Sequence, residues 1–146
     1  SCTHNHPEGI KGAQATALCI FLARQGHTAS DIRARIERDF GYDLSMSVEE
    51  LQRRYSWQGI DGKGDGGICQ DSVPQAIICV LQAKDFEDAI RNAISIGGDS
   101  DTIGCIAGGI AEALYGIPES IKERAWKYLD ETEDRTVRSF IQKYSI

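Results

Sequence analysis

Three glycines, Gly104, Gly108 and Gly109, fall inside a stretch from Ile103 to Ala111 that otherwise reads as helix. Each costs about 1 kcal/mol relative to alanine in a helix interior, so about 3 kcal/mol must be offset by something only small residues permit. Close packing of a face formed by Gly104, Ala107, Gly108 and Ala111 against neighbouring helices would supply that offset. The expectation is a helix at the centre of a helical fold, with the segment that enters it carried deep inside.

That entering segment is Gly97-Gly98-Asp99-Ser100-Asp101-Thr102. Aspartates at i and i+2 diverge on a helix but face one side of an extended segment, so ahead of the helix both can aim at one point. Two close carboxylates repel and one must take up a proton, whereas a bound divalent cation keeps both ionised. Thr102 adds a hydroxyl oxygen, and hard cations such as Mg²⁺ or Mn²⁺ prefer such oxygen sets. The alternative is that Asp99 and Asp101 merely cap a core helix, since aspartate is favoured at N-caps and suits the positive helix end. Spacing alone leaves both open.

The remainder of the chain supports an all-α fold. Pro7 suits a first helical turn with Asn5 or His6 as cap, and Ile10, Ala17, Leu18, Phe21 and Leu22 form an apolar stripe ending near Gly26. Thr28-Ala29-Ser30-Asp31 opens a charged helix closed by Phe40-Gly41-Tyr42, and Ser47-Val48-Glu49-Glu50 opens a helical turn through Leu51 to Tyr55. Helices are also expected from Asp71-Ser72-Val73-Pro74, from Asp85-Phe86-Glu87-Asp88, from Pro118-Glu119 and around Val137, Phe140, Ile141 and Tyr144. No alternating strand pattern competes. Between Gly59 and Gly67 so many glycines exclude regular structure; the stretch lacks the Gly-Lys-Ser/Thr ending of a phosphate-binding loop, and as a calcium loop Lys63 and Ser72 hold wrong positions. A plain flexible loop and a backbone-lined ligand rim both remain open.

The 146 residues, 41% hydrophobic, suffice for one sizeable core, so residues 1–146 are expected to form a single domain. Twenty-two acidic against sixteen basic residues leave a net charge of -6 with no basic run, which argues against nucleic acid and anionic membranes as partners. No apolar run approaches the roughly 18 residues of a membrane span, and a soluble cytoplasmic protein is expected. Five scattered cysteines without a C-x-x-C pair signal neither a disulfide framework nor a zinc knuckle, and most are expected as buried thiols. The first residue is Ser1 and the single methionine is Met46, which suggests a processed piece of a longer protein.

Taken in order, Thr3-His4 before a Gly-Ala helix, Gly67-Ile68 shortly before Asp71-Ser72-Val73-Pro74-Gln75-Ala76, Gly-Gly-Asp-Ser-Asp-Thr-Ile-Gly, and Leu114-Tyr115-Gly116-Ile117-Pro118 resemble the ADP-ribosylglycohydrolases. This is the family of the enzyme that removes ADP-ribose from dinitrogenase reductase. The resemblance implies an all-α fold with a binuclear Mg²⁺ or Mn²⁺ site, hydrolysing the bond between the anomeric carbon of ADP-ribose and an acceptor. Partners would be an ADP-ribosylated protein or an ADP-ribose-containing small molecule. It assigns Asp99, Asp101 and Thr102 as metal ligands, the two aspartates also as catalytic residues, His4 to the neighbourhood of ADP-ribose, and Gly67 with Ile68 to the adenine side of the cleft. His6 receives no role.

Family members carry further ligands on Gly-Asp and Thr-Asp-Asp segments in an N-terminal half; these residues contain no Thr-Asp-Asp, and Gly64-Asp65 sits in the wrong context to stand in for the other. The chain is therefore expected to be the C-terminal portion of the family fold, pairing with the missing N-terminal half or self-associating. The contrasting expectation is a catalytically silent homologue serving as a binding or structural module.

Overall fold

The computed structural model describes residues 5–144. Its chain divides into two compact units, the first ending at Gly116 and the second beginning at Ile117. The first contains α1 (Pro7–Arg24), α2 (Ala29–Phe40), α3 (Val48–Arg54), a short hairpin of β1 (Tyr55–Ser56) and β2 (Gly59–Ile60), α4 (Cys69–Leu81), α5 (Phe86–Ser95) and α6 (Ser100–Tyr115). The second holds α7 (Glu119–Trp126) and α8 (Glu131–Tyr144). The all-α class holds, and among the described residues no helix is long and apolar enough to cross a membrane.

Helix starts follow local hydrogen-bond chemistry. Thr28 and Asp31 form a reciprocal capping box on α2, as Ser47 and Glu50 do on α3, and the Asp85 carboxylate accepts from the Asp88 amide to cap α5. His6, one of the two expected candidates, caps α1 by accepting from the Glu8 amide, with Pro7 behind it as the first helical residue. Gly41 ends α2 in the left-handed region at φ 63°.

Two expectations need correction. Helix α4 begins at Cys69, two residues ahead of Asp71, because Ile68 supplies the capping carbonyl to the Asp71 and Ser72 amides. The Asp71 carboxylate is instead engaged by the Asp65 amide at 2.8 Å. Residues 55–60, expected to lack strand, form an antiparallel hairpin with Tyr55 opposite Ile60. Two residues per strand are too few to show alternation.

The core of the first unit is built around α4 and α6. Every residue of α4 from Ser72 to Leu81 is buried, so this helix is covered on all sides. Its last carbonyls are met by side chains: Asn92 Nδ2 donates to the Cys79 oxygen at 3.3 Å, and the Tyr115 hydroxyl lies 3.1 Å from the Val80 oxygen and 2.8 Å from that of Ala83, just past the helix end. Helix α6 packs against α5, α4 and α1. Its small-residue face is split between neighbours. A Cβ on Gly104 would lie 3.2 Å from Ile94 Cδ1 and one on Gly108 3.6 Å from Ile90 Cδ1, both on α5, while Gly109 faces Ile20 of α1 at 3.8 Å. Ala107 and Ala111 are fully buried. Of the cysteines, Cys19 and Cys79 are buried, where burial pushes each thiol up to about 12, but Cys69 is half-buried and Cys105 exposed.

Gly108 gives a direct test of close approach. Gly108→Ala fits in ordinary contact and should be neutral or stabilising by up to about 1 kcal/mol, whereas Gly108→Leu should destabilise by about 1–3 kcal/mol. Urea unfolding of the two variants separates these outcomes; equal midpoints would place this face in solvent.

Candidate functional site

The turn into α6 is built from two glycines with positive φ, Gly97 at 76° and Gly98 at 66°, a conformation that side chains disfavour. Gly98 is constrained twice, because a Cβ there would stand 2.5 Å from Cε1 of Tyr55. The chain then reaches Asp99 at the N-cap position of α6, where its carbonyl accepts from the Ile103 amide at 2.9 Å. Unlike Asp85 on α5, Asp99 makes no side-chain cap hydrogen bond. Its side chain meets that of Asp101 instead.

Asp99 is half-buried while Asp101 and Thr102 are exposed, so the expectation of deeply buried aspartates is corrected. The buried stripe of α6 runs through Ile103, Ala107, Ile110 and Ala111, and Asp101 and Thr102 precede it at the solvent-facing end. The two carboxylates still come together. The Asp99 side chain, followed by the Thr102 amide and its own amide, holds the Asp101 carboxyl below its usual range. Among the described residues neither aspartate has a Lys or Arg ion pair. Paired carboxyl groups without a Lys or Arg ion pair among the described residues offer the kind of oxygen donors that hard cations take. No three of the described histidine, cysteine, aspartate and glutamate residues group to hold a metal, so Asp99, Asp101 and Thr102 form a partial set.

The glycine-rich stretch is tied down rather than loose. The Gly64 amide donates to the Gln58 oxygen and the Gly66 amide to that of Trp57, both at 2.8 Å, while Arg54 grips Asp61 through two hydrogen bonds of 3.0 and 2.8 Å. Gly64 packs so closely on Asp71 that a Cβ would collide with its Oδ2. Gly67 is exposed, its amide donating to Asp65 Oδ1 at 3.0 Å, and Ile68 follows at the N-terminus of α4, 40% exposed. The resulting rim presents backbone and an apolar side chain outward, with the indole of Trp57, also exposed, beside Gly67.

Tyr55 joins the rim to the aspartate turn. Its ring lies against Gly98 and its buried hydroxyl donates to the Gly66 carbonyl at 3.3 Å. Burial, reinforced by Asp71, Asp99 and Asp65, pushes the phenol up to about 12, so it remains a donor at neutral pH. Sequence reasoning missed this residue, because one tyrosine after a helix end carries no periodic signal. Gly67, Ile68, Asp99 and Asp101 are thus placed on two segments meeting at one phenol ring; His4 lies outside the described residues. A cavity of about 700 Å³ in the second unit, lined by Glu119, Lys122, Glu123, Trp126, Lys127 and Arg138, holds none of the expected site residues.

The turn geometry predicts that Gly98→Ala destabilises the chain by about 2 kcal/mol or more, combining a disfavoured φ with a clash against a buried ring. Thermal unfolding followed by circular dichroism measures this. An unchanged midpoint would mean that Gly98 does not abut Tyr55.

Comparison with known proteins matches residues 1–145 to the family model described as ADP-ribosylglycohydrolase. The chain is 31% identical over 153 aligned positions to the "ADP-ribosylhydrolase ARH3" of Danio rerio, covering 79% of this chain and 41% of that protein. It is 30% identical to the human protein of the same name, covering 90% of this chain and 47% of the relative. Against the "ADP-ribosylarginine hydrolase Tri1" of Pseudomonas putida identity is 28%, covering 86% of this chain and 34% of the relative. The chain thus spans less than half the length of these relatives. No solved structure is a significant match.

Proposed function

The chain belongs to the ADP-ribosylglycohydrolase family, and from that premise we propose that it carries the C-terminal half of a site hydrolysing the glycosidic bond between ADP-ribose and an acceptor. The observation that supports this most is the Asp99–Asp101 pair: two carboxyl groups within reach of one another, without a Lys or Arg ion pair among the described residues, at a helix start that Asp99 does not cap with its side chain.

Asp99, Asp101 and Thr102 are the residues that would hold Mg²⁺ or Mn²⁺; a binuclear cluster supplies polarisation of the sugar oxygens and a water acidified for attack on the anomeric carbon. The chain's own contributions are positional. Asp99, fixed by the glycine turn, and Asp101, fixed by the first-turn amides, direct negative charge to one point at the end of α6. Gly67 and Ile68 offer a flat backbone edge and an apolar contact suited to the adenine side, and His4 is assigned to the same ligand by resemblance. The acceptor is an ADP-ribosylated protein side chain or a small ADP-ribose compound. One relative is named for ADP-ribosylarginine, which makes arginine one candidate.

Hard divalent cations take about six oxygen donors, and these three residues supply half of them at most. The partial set favours a second reading for the chain in isolation, that of a binding module without turnover. The chain alone should accordingly bind Mn²⁺ only in the millimolar range and leave ADP-ribosylated substrates intact. Counting free Mn²⁺ by electron paramagnetic resonance, alongside an ADP-ribose release assay, tests both; micromolar binding with turnover would mean that other residues here complete the site.

In a protein that contains both halves, Asp101→Ala should reduce turnover to below about a tenth while far-ultraviolet dichroism stays unchanged, since the residue is an exposed ligand rather than a core contact. Activity above that level would remove Asp101 from the ligand set.

A further inference from the structure

The two segments assigned to the site are far apart in sequence, yet a single side chain touches both. Tyr55 is 5% exposed. Its ring is the surface on which Gly98 rests, with Cε1 at 2.5 Å and Cζ at 3.2 Å from where a Cβ would begin, so Asp99 starts from a backbone atom that the ring locates. Its hydroxyl reaches the other way, to the Gly66 carbonyl immediately before Gly67 and Ile68. Gly66 is close there too, though less so: a Cβ would meet the Tyr55 hydroxyl at 3.1 Å and the Ser56 and Trp57 carbonyls at 3.0 and 3.1 Å. Both contacts are made by atoms of one rigid side chain, and at Gly98 the fit requires glycine.

We propose that Tyr55 is a positioning residue that locks the glycine-rich rim and the Asp99 turn into one unit, its ring setting the metal-facing carboxylate and its hydroxyl setting the nucleotide-facing loop. The inference rests on the function proposed above. The division of labour follows from the covalent structure of the side chain. Removing the hydroxyl leaves the ring against Gly98 in place but frees the Gly66 carbonyl; removing the ring releases both segments. A residue that served the core alone would affect stability and treat the two ligands alike.

The test is titration of Mn²⁺ and of ADP-ribose, separately, into the chain and its Tyr55→Phe and Tyr55→Leu variants, with melting followed in parallel. Tyr55→Phe should weaken ADP-ribose by about fivefold, the worth of one neutral hydrogen bond, and leave Mn²⁺ affinity within about twofold. Tyr55→Leu should weaken both, Mn²⁺ by about tenfold as expected for loss of a group that orients a ligand. If Tyr55→Leu fails to fold, the split shown by Tyr55→Phe still decides. Unchanged ADP-ribose affinity in Tyr55→Phe, or wild-type affinities in a folded Tyr55→Leu, would overturn the positioning role while leaving the metal site standing. Absence of Mn²⁺ binding by the unsubstituted chain would overturn the metal reading, and this role with it.

Discussion

The close approach of α6 to α5 and α1 is the interaction on which the site depends. Gly104 is the tight point, its Cβ position 3.2 Å from Ile94 Cδ1, while Gly108 and the exposed Gly109 stand in ordinary contact with the ends of Ile90 and Ile20. Dispersion attraction along that length offsets the conformational freedom that glycine forfeits on entering a helix. The packing fixes where α6 begins, and its far end is fixed too, since Tyr115 reaches the terminal carbonyls of the buried helix α4. A helix anchored at both ends can present a turn reproducibly.

What that turn presents is best seen by contrast within the molecule. Asp85 and Asp99 are both aspartates at the N-cap of a helix. Asp85 has extended backbone at φ -158°, ψ 178° and uses its carboxylate to cap. Asp99, delivered from two left-handed glycines, sits at φ -79°, ψ 63° and makes no such bond. Asp99 leaves the first-turn amides to Asp101, whose carboxyl is held below its usual range by the Asp99 side chain together with those amides. The difference between the two aspartates favours the proposed metal half-site over capping by Asp99.

The parts of the fold that were legible in the sequence are those governed by neighbouring residues. Thr28 with Asp31, Ser47 with Glu50, Asp85, and Gly41 each act within four residues, so their roles can be read directly. The Asp99 to Thr102 cluster was legible for the same reason. The start of α4 was not, because Asp71 is diverted by the Asp65 amide across a loop whose shape depends on Gly64 lying flat against it. Tyr55 was invisible because its importance comes from two partners, Gly66 and Gly98, eleven and forty-three positions away. The exposure of Asp101 and Thr102 was not legible either, because the one-sided stripe of Ile103, Ala107, Ile110 and Ala111 does not say how far the turn ahead of it is covered.

The central claim, that the turn into α6 is a cation half-site and not a cap, is open to direct observation. Crystals of the chain grown with millimolar Mn²⁺, measured at the manganese absorption edge, should show an anomalous peak in contact with Asp99, Asp101 and Thr102. A map with no peak there, in which the Asp99 carboxylate instead accepts hydrogen bonds from the first-turn amides of α6, would contradict the account.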